Sequence, residues 1–116
     1  MDFHDLLIWQ KAMNLSLTLY DVTDSSPKEE RFGLSAQLRR CGVSVASNIA
    51  EGEGRLTPGE RRQALSQARG SLYEIETQLI IAAHRRYVER DSFKAEIGQL
   101  RRMIDAYIAY VRRSGR

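Results

Sequence analysis

The sequence predicts an all-α protein, folded as an antiparallel up-down-up-down four-helix bundle. Apolar residues recur at spacings of three and four in residues 5–23, 27–51, 58–87 and 92–113, which is the pattern of a helix with a buried face. No segment alternates apolar and polar residues with the period of a strand. The intervening segments are only three to six residues long, which favours antiparallel neighbours. We expect the whole chain, residues 1–116, to form a single domain.

The first predicted helix has two apolar stripes, where one core-facing stripe would suffice. The expected core stripe consists of Leu6, Trp9, Met13, Leu17 and Tyr20. The expected oligomer interface is a second stripe of Ile8, Ala12, Leu15, Leu19 and Val22. Together the stripes exceed the ~100° that one core contact covers, and a large exposed apolar stripe usually marks an interface. The alternative is that the other helices also cover the second stripe.

The second and third predicted helices begin at similar sequences, Ser26–Glu29 (SPKE) and Thr57–Glu60 (TPGE). A hydroxyl before a proline, with a glutamate at the third helical position, is the pattern of a capping box. We expect Gly52 and Gly54 to end the second helix in left-handed conformations. The expected core stripes are Leu34, Leu38, Cys41, Val45 and Ile49, then Ala64, Ala68, Leu72, Ile75, Leu79 and Ala82.

Two glycines lie inside these helices, Gly42 in the second and Gly70 in the third. Each costs about 1 kcal/mol relative to alanine, so each needs a structural reason. We expect both to permit close packing between the second and third helices. The alternative is close contact with the backbone of a partner.

The fourth predicted helix completes the apolar pattern. Its expected core stripe is Phe93, Ile97, Leu100, Ile104, Ile108 and Val111. Asp91 or Ser92 is the expected N-cap, since both side chains can accept from an unpaired backbone N–H.

The positive charge of the chain is carried mainly by arginine. Of 18 basic residues 15 are arginine, against 15 acidic residues, so the net charge is +3. Residues 1–30 carry a net charge of −4, whereas residues 31–72 and 101–116 each carry +4, which predicts an acidic start and two basic surfaces. A single cysteine excludes an internal disulfide. The absence of a signal-peptide pattern and of a long apolar run leads us to expect a cytosolic protein with no membrane partner.

Four stretches of sequence form a recognisable set: FHDLLIWQKA (3–12), FGLSAQLRR (32–40), SNIAEGEGR (47–55) and ARGSLYEIETQL (68–79). This set resembles the four-helix-bundle proteins encoded in intervening sequences of the 23S ribosomal RNA gene, once labelled S23 ribosomal proteins. The resemblance extends over residues 3–87. Ile8 and Cys41 stand where the family usually has valine and alanine, and both changes are mild.

The resemblance implies a cytosolic, non-enzymatic bundle that assembles as a homopentamer. The chain is also similar to the accessory proteins of diversity-generating retroelements, which are basic pentamers that bind nucleic acid and a reverse transcriptase. Nothing in this sequence indicates a neighbouring reverse transcriptase, so that role is not transferred to this chain.

We expect no enzymatic activity, no metal and no cofactor. The only histidines are His4 and His84, and neither has a glutamate three residues before it, as a di-iron bundle requires. Cys41 lies on the apolar stripe of its helix, where a cysteine is typically a small core residue rather than a nucleophile.

Five polar residues of the second and third helices occupy positions that recur in the family motif: Arg39, Asn48, Glu51, Glu74 and Gln78. A buried carboxylate needs a cation or several donors, so we expect Glu74 to pair with Arg39 or Arg40. We expect Asn48 and Glu51 to hold the turn that leads to Arg55. The alternative to this structural network is a binding pocket.

The arginines differ in whether an acid lies three or four residues away. Arg85 and Arg86 have Glu89 at that spacing and Arg101 has Asp105, so we expect local ion pairs there. The candidate phosphate contacts are seven arginines without such an acid, together with Arg55 after the turn: Arg39, Arg40, Arg55, Arg61, Arg62, Arg69, Arg112 and Arg113. The alternatives are a solvated surface, or ion pairs to another helix or subunit.

Two functional hypotheses follow. The first is an oligomeric accessory factor that binds nucleic acid, with structured RNA preferred over DNA. The second is an oligomeric scaffold whose partner is a protein and whose arginines form salt bridges between subunits. The modest net charge favours the second hypothesis, while the arginines without local acids favour the first.

Overall fold

The computed structural model describes residues 2–114. The four α-helices are α1 (Leu7–Thr23), α2 (Leu34–Glu53), α3 (Pro58–His84) and α4 (Lys94–Ser114). Each helix packs against the next, and α1 also contacts α4, so they enclose one core in a body 46 Å long and 21 Å wide. The predicted all-α four-helix bundle is confirmed. No helix within residues 2–114 is both long and apolar enough to cross a membrane.

The core is formed by the predicted stripes of α2, α3 and α4. Every predicted core residue of α3 is buried, as are Ile97, Leu100, Ile104, Ile108 and Val111 of α4. On α2 the buried stripe runs from Leu38 to Ile49. Leu34 at the start of α2 and Phe93 just before α4 are partly buried and pack against the edge of the core.

The prediction for the two stripes of α1 is wrong for the second stripe, which the other helices cover. The expected core stripe is only partly buried, with Leu6, Trp9 and Met13 packed against the edge of the core. Ile8, Ala12, Leu15 and Leu19 lie in the core, whereas Leu17 is 57% exposed. The small side chains of Ser16 and Thr23 are also buried on this face, and α2 approaches closely at Ser16, opposite Gly42. Spacing alone does not distinguish this face from the other. The stripe expected at an oligomer interface is therefore covered within the chain, except for the half-buried Val22.

The starts of α2 and α3 differ from each other, although their sequences are similar. Thr57 caps α3 as predicted: its Oγ1 accepts from the backbone N–H of Glu60 at 3.1 Å. The predicted cap at Ser26 is wrong, since Pro27 precedes only a short 3₁₀ helix, Lys28–Glu30. The backbone leaves the helical region at Gly33 (φ −107°, ψ −112°). The Glu30 carboxylate then accepts from the N–H of Leu34 at 3.1 Å and caps α2.

The end of α2 is not formed by left-handed glycines, so that prediction is wrong. Gly52 lies within the helix, and Gly54 has a φ of −86°. Gly52 faces α3, and a Cβ added there would make an ordinary van der Waals contact, 3.5 Å from the Cβ of Ala64.

Left-handed conformations occur around the connection between α3 and α4, at Arg86, Asp91 and Phe93 (φ 65°, 62° and 65°). The turn at Arg86 ends α3 at His84, three residues before the predicted end. The N–H of Tyr87 donates to the carbonyl of Ala82 at 2.8 Å, a hydrogen bond typical of the Schellman motif. α4 begins at Lys94, so neither Asp91 nor Ser92 is its N-cap.

The role predicted for the two internal glycines is also wrong. A Cβ at Gly42 would stand 3.1 Å from Cδ1 of Leu19 and 3.3 Å from Cα of Ser16. Gly42 therefore admits α1, not α3. A Cβ at Gly70 would meet nothing within 4 Å, so Gly70 makes no close helix contact. α2 and α3 are joined instead by a hydrogen bond between the hydroxyls of Ser44 and Ser71 at 2.8 Å.

Candidate nucleic-acid interface

Three of the seven arginines without a local acid, Arg39, Arg61 and Arg69, pair with an acid on another part of the chain, and so does Arg101. The interhelical N–O distances are 2.7 Å for Arg39–Asp24, 3.3 Å for Arg61–Glu53, 2.9 Å for Arg69–Asp105 and 3.2 Å for Arg101–Glu76. These pairs neutralise three of the eight predicted phosphate contacts. Arg39, Arg61 and Arg69 are thus structural arginines as much as surface charges.

The local ion pairs predicted from spacing do not form. Asp105 pairs with Arg69, and Arg101 pairs with Glu76. The expected pairs of Arg85 and Arg86 with Glu89 need a continuous helix, but α3 ends at His84. The guanidinium of Arg85 lies instead over the ring of Tyr87, 5.8 Å from its centroid.

Arg39 joins α2 to the end of α1. Its Nε donates to Oγ1 of Thr23 at 2.7 Å, and its Nη2 donates to Asp24. The guanidinium lies over the ring of Tyr20, 4.8 Å from the centroid. These contacts fix the side chain away from α3, so the predicted pairing of Arg39 with Glu74 is wrong.

A partly buried polar cluster lies where α2 ends and α3 begins. Arg61 and Glu53 are only 16% and 15% exposed, and the hydroxyl of Tyr107 donates to the same Glu53 carboxylate. Burial and the neighbouring carboxylate raise the pKa of Tyr107 to about 12. The sequence does not predict this contact, since no spacing rule connects Glu53 with Tyr107, 54 positions apart.

The predicted five-residue polar network is not assembled. Asn48 donates to Ser44 of its own helix at 2.9 Å, and Gln78 donates to Sγ of Cys41 at 3.7 Å. Glu51 forms an ion pair with Arg55, as expected for holding the turn. The predicted core position of Cys41 is confirmed, and burial raises the pKa of its thiol.

Two further candidate arginines, Arg40 and Arg55, are exposed but have partners. Arg40 donates to the side-chain oxygen of Gln37. Arg55 pairs with Glu51, and its Nη1 also lies 3.9 Å from a carboxylate oxygen of Glu60. Both guanidinium groups face solvent. Of the two, Arg40 has no acidic ion-pair partner within residues 2–114.

The last three candidates are Arg62, Arg112 and Arg113, which we call the end arginines. None of them has a side-chain hydrogen bond or an ion pair in the described chain. Arg61 of α3 donates to the hydroxyl of Tyr107 of α4 at 3.1 Å, which shows that the start of α3 lies beside the second half of α4. The end arginines therefore belong to the same end of the bundle, near the turn between α2 and α3.

A match to a family sequence profile identifies the family to which this chain belongs. The profile of the 23S rRNA-intervening sequence proteins matches residues 4–106. The chain belongs to this family. A solved structure supports the fold: a protein of unknown function from the S23 ribosomal protein family, from Bacteroides thetaiotaomicron, superposes with a TM-score of 0.77 at 18% identity. The similarity covers 88% of this chain and 98% of that one. No curated protein matches this intervening-sequence protein.

Proposed function

We propose that this intervening-sequence protein is a non-enzymatic, cytosolic, homo-oligomeric protein that binds RNA through the end arginines. The observation that carries the proposal is that Arg62, Arg112 and Arg113 lie at one end of the bundle without an acidic partner in residues 2–114. Guanidinium groups match the geometry of phosphate oxygens, and unpaired ones need not give up an ion pair to bind them.

The distribution of charge between the two halves of the chain supports the side formed by α3 and α4 as the binding surface. Residues 58–114, which contain α3 and α4, have eleven basic and seven acidic residues. Residues 2–57 have six basic and eight acidic residues. A field of this form orients a polyanion towards α3 and α4 and away from α1.

Oligomerisation would multiply the end arginines. A homopentamer is the assembly that the family resemblance implies, and five copies of one weak phosphate site raise the avidity without new contacts. The predicted α1 stripe is not available for assembly because it lies in the core. Leu7 and Leu17, which are 56% and 57% exposed, replace it as the apolar positions on the outer face of α1.

The proposal is tested by measuring retention of labelled 23S ribosomal RNA fragments and of mixed-sequence DNA at low and at high salt. For binding through phosphates, the logarithm of the affinity falls linearly with the logarithm of the salt concentration. We expect RNA retention at low salt and its loss in the variant R62E/R112E/R113E. Absence of RNA retention by the unaltered protein at low salt contradicts the proposal.

A matched control is K28E/R31E/R85E, which makes the same change of charge at the opposite end. None of these three side chains forms an ion pair within residues 2–114, so the fold should tolerate the change. We expect the control to retain RNA, and light scattering to give the same particle mass for both variants. Equal loss of RNA in both variants indicates a general charge effect and contradicts a defined surface.

The second candidate function is an oligomeric scaffold with a protein partner. Large exposed apolar side chains favour it, chiefly Leu56, Phe32 and Ile80, at 95%, 85% and 66% exposed. The sequence suggested that arginines would form salt bridges between subunits. That support is weaker now, since Arg39, Arg61 and Arg69 already pair within the chain. An intact oligomer that binds neither RNA nor DNA at low salt favours the scaffold.

A further inference from the structure

A groove of about 740 Å³ lies where α3 ends and α4 begins. This volume falls within the usual range for small-molecule sites. Its apolar lining is formed by the buried Leu79 and Ile97, by Ala83 and by Ile80, which is 66% exposed. The groove is at the opposite end of the bundle from the end arginines, so it is a separate feature of the molecule.

Basic side chains surround this apolar lining. His84, Arg86, Arg90 and Lys94 all line the groove, and none of them has a side-chain hydrogen bond or ion pair in residues 2–114. Of the two acids in the lining, Glu76 is neutralised by Arg101 at 3.2 Å, which leaves Asp91. The groove therefore combines an excess of fixed positive charge with an apolar surface.

The backbone around the groove is built in an unusual way. Arg86 occupies the left-handed position that ends α3, where glycine is the common residue. An L residue is disfavoured in this conformation, yet the chain has an arginine there, and that arginine lines the groove. The first residue of α4, Lys94, also lines it, and the N-terminal end of a helix favours a bound anion.

We propose that this groove binds a nucleoside monophosphate. The phosphate contacts Arg86, Arg90 and Lys94, whose donors match a dianion better than a single carboxylate. The base lies against the exposed apolar side chain of Ile80. Asp91 and Ser92, two further polar residues of the lining, are an acceptor and a hydroxyl suited to the ribose hydroxyls.

Two sources can supply this ligand, a free nucleotide or the phosphorylated terminal nucleotide of a strand. Both present the same phosphate, sugar and base to the groove. The site does not depend on the end arginines, so it can exist whether or not they bind RNA.

The test measures binding to the full chain by calorimetry, with adenosine monophosphate, adenosine, inorganic phosphate and decanoate as probes. We expect adenosine monophosphate to bind more tightly than adenosine or inorganic phosphate. Equal binding of inorganic phosphate and of the nucleotide contradicts the nucleoside part of the assignment. Preferential binding of decanoate contradicts the phosphate part, and absence of binding by the nucleotide overturns the proposal.

The decisive variant is R86G. Glycine suits the left-handed position at the end of α3, so the fold is retained while one cation is removed. We expect the affinity for adenosine monophosphate to fall about tenfold or more, as for loss of a charged hydrogen bond. The matched control R113G removes a cation at the other end and should leave this affinity unchanged. An unchanged affinity in R86G overturns the assignment.

Two further measurements separate the base from the phosphate and one source from the other. I80S changes an exposed side chain and should weaken binding of the nucleotide but not of inorganic phosphate. An RNA strand with a terminal phosphate should compete with the nucleotide better than the same strand with a terminal hydroxyl if strand ends are the source. Equal weak competition by both strands assigns the groove to free nucleotides, whereas an unchanged nucleotide affinity in I80S contradicts the role of Ile80.

Discussion

Glu53, the last residue of α2, accepts a hydrogen bond from Arg61 of α3, with Oε1 and Nη2 separated by 3.3 Å. The same oxygen accepts from the hydroxyl of Tyr107 of α4. One carboxylate thus joins three helices at the end of the bundle where the end arginines lie. Because Arg61 and Glu53 are both mostly covered, this pair is screened by solvent less than the other ion pairs of the chain.

The first prediction concerns this carboxylate. E53Q keeps the shape of the side chain but removes the charge that compensates Arg61, whose Nε is already buried without a hydrogen-bond partner in the described residues. Leaving a partly buried cation uncompensated is costly, so we expect a loss of about 1–2 kcal/mol in the free energy of unfolding. Chemical denaturation of the purified protein measures it.

The matched control for E53Q is E74Q, which makes the same substitution on an exposed residue of α3 that forms no ion pair with Arg39 or Arg40. We expect its effect to stay within about 0.5 kcal/mol. If E74Q lowered the free energy of unfolding more than E53Q, the result would favour the polar network predicted from the sequence and contradict the cluster of Glu53, Arg61 and Tyr107.

The second prediction is a dependence of stability on alkaline pH. The pKa of Tyr107 is raised from 10.0 to about 12 in the folded chain, so the folded state holds this proton more tightly than the unfolded state. The contribution is fully present below pH 10 and is lost as the pH rises to about 12. We expect the fall in stability over this range to be shallower in Y107F. Parallel falls in both proteins contradict a raised pKa.

The third prediction uses one substitution at two helical glycines. G42A places a Cβ 3.3 Å from the backbone Cα of Ser16, and backbone atoms of a packed helix do not move aside easily. We expect a loss of roughly 1–3 kcal/mol. G70A meets nothing within 4 Å, so the better helix propensity of alanine should stabilise the chain by about 0.5–1 kcal/mol. Thermal melting of both variants checks the opposite signs.

The sequence predicts the helices well because a helix with one buried face has apolar residues at regular spacings of three and four. Apolar spacing predicted the core faces of α2, α3 and α4, and a local hydrogen bond between Thr57 and Glu60 made the start of α3 predictable. The same capping pattern failed at Ser26. There the backbone departs from the helix at Gly33. The cap is supplied by Glu30, which no capping pattern in the sequence marks.

The candidate site was less predictable, because ion pairs between helices depend on register. Arg69 meets Asp105 across 36 residues and Arg39 meets Asp24 across 15, and no local rule gives either pair. Counting acids at three and four residues correctly identified Arg62, Arg112 and Arg113 as arginines without local partners. It could not show that Arg39, Arg61 and Arg69 find their partners on other helices.

The last prediction tests which apolar stripe of α1 faces the core. Leu19 is fully buried, whereas Leu17 is 57% exposed. L19A removes buried methyl groups from a closed core, so we expect a loss of about 3–5 kcal/mol in the free energy of unfolding. L17A should cost less than about 0.5 kcal/mol, and any effect on light-scattering mass should appear in this variant. If the stripe of Leu19 were an oligomer interface, L19A would instead lower the particle mass and leave the helical signal and the unfolding of the monomer unchanged.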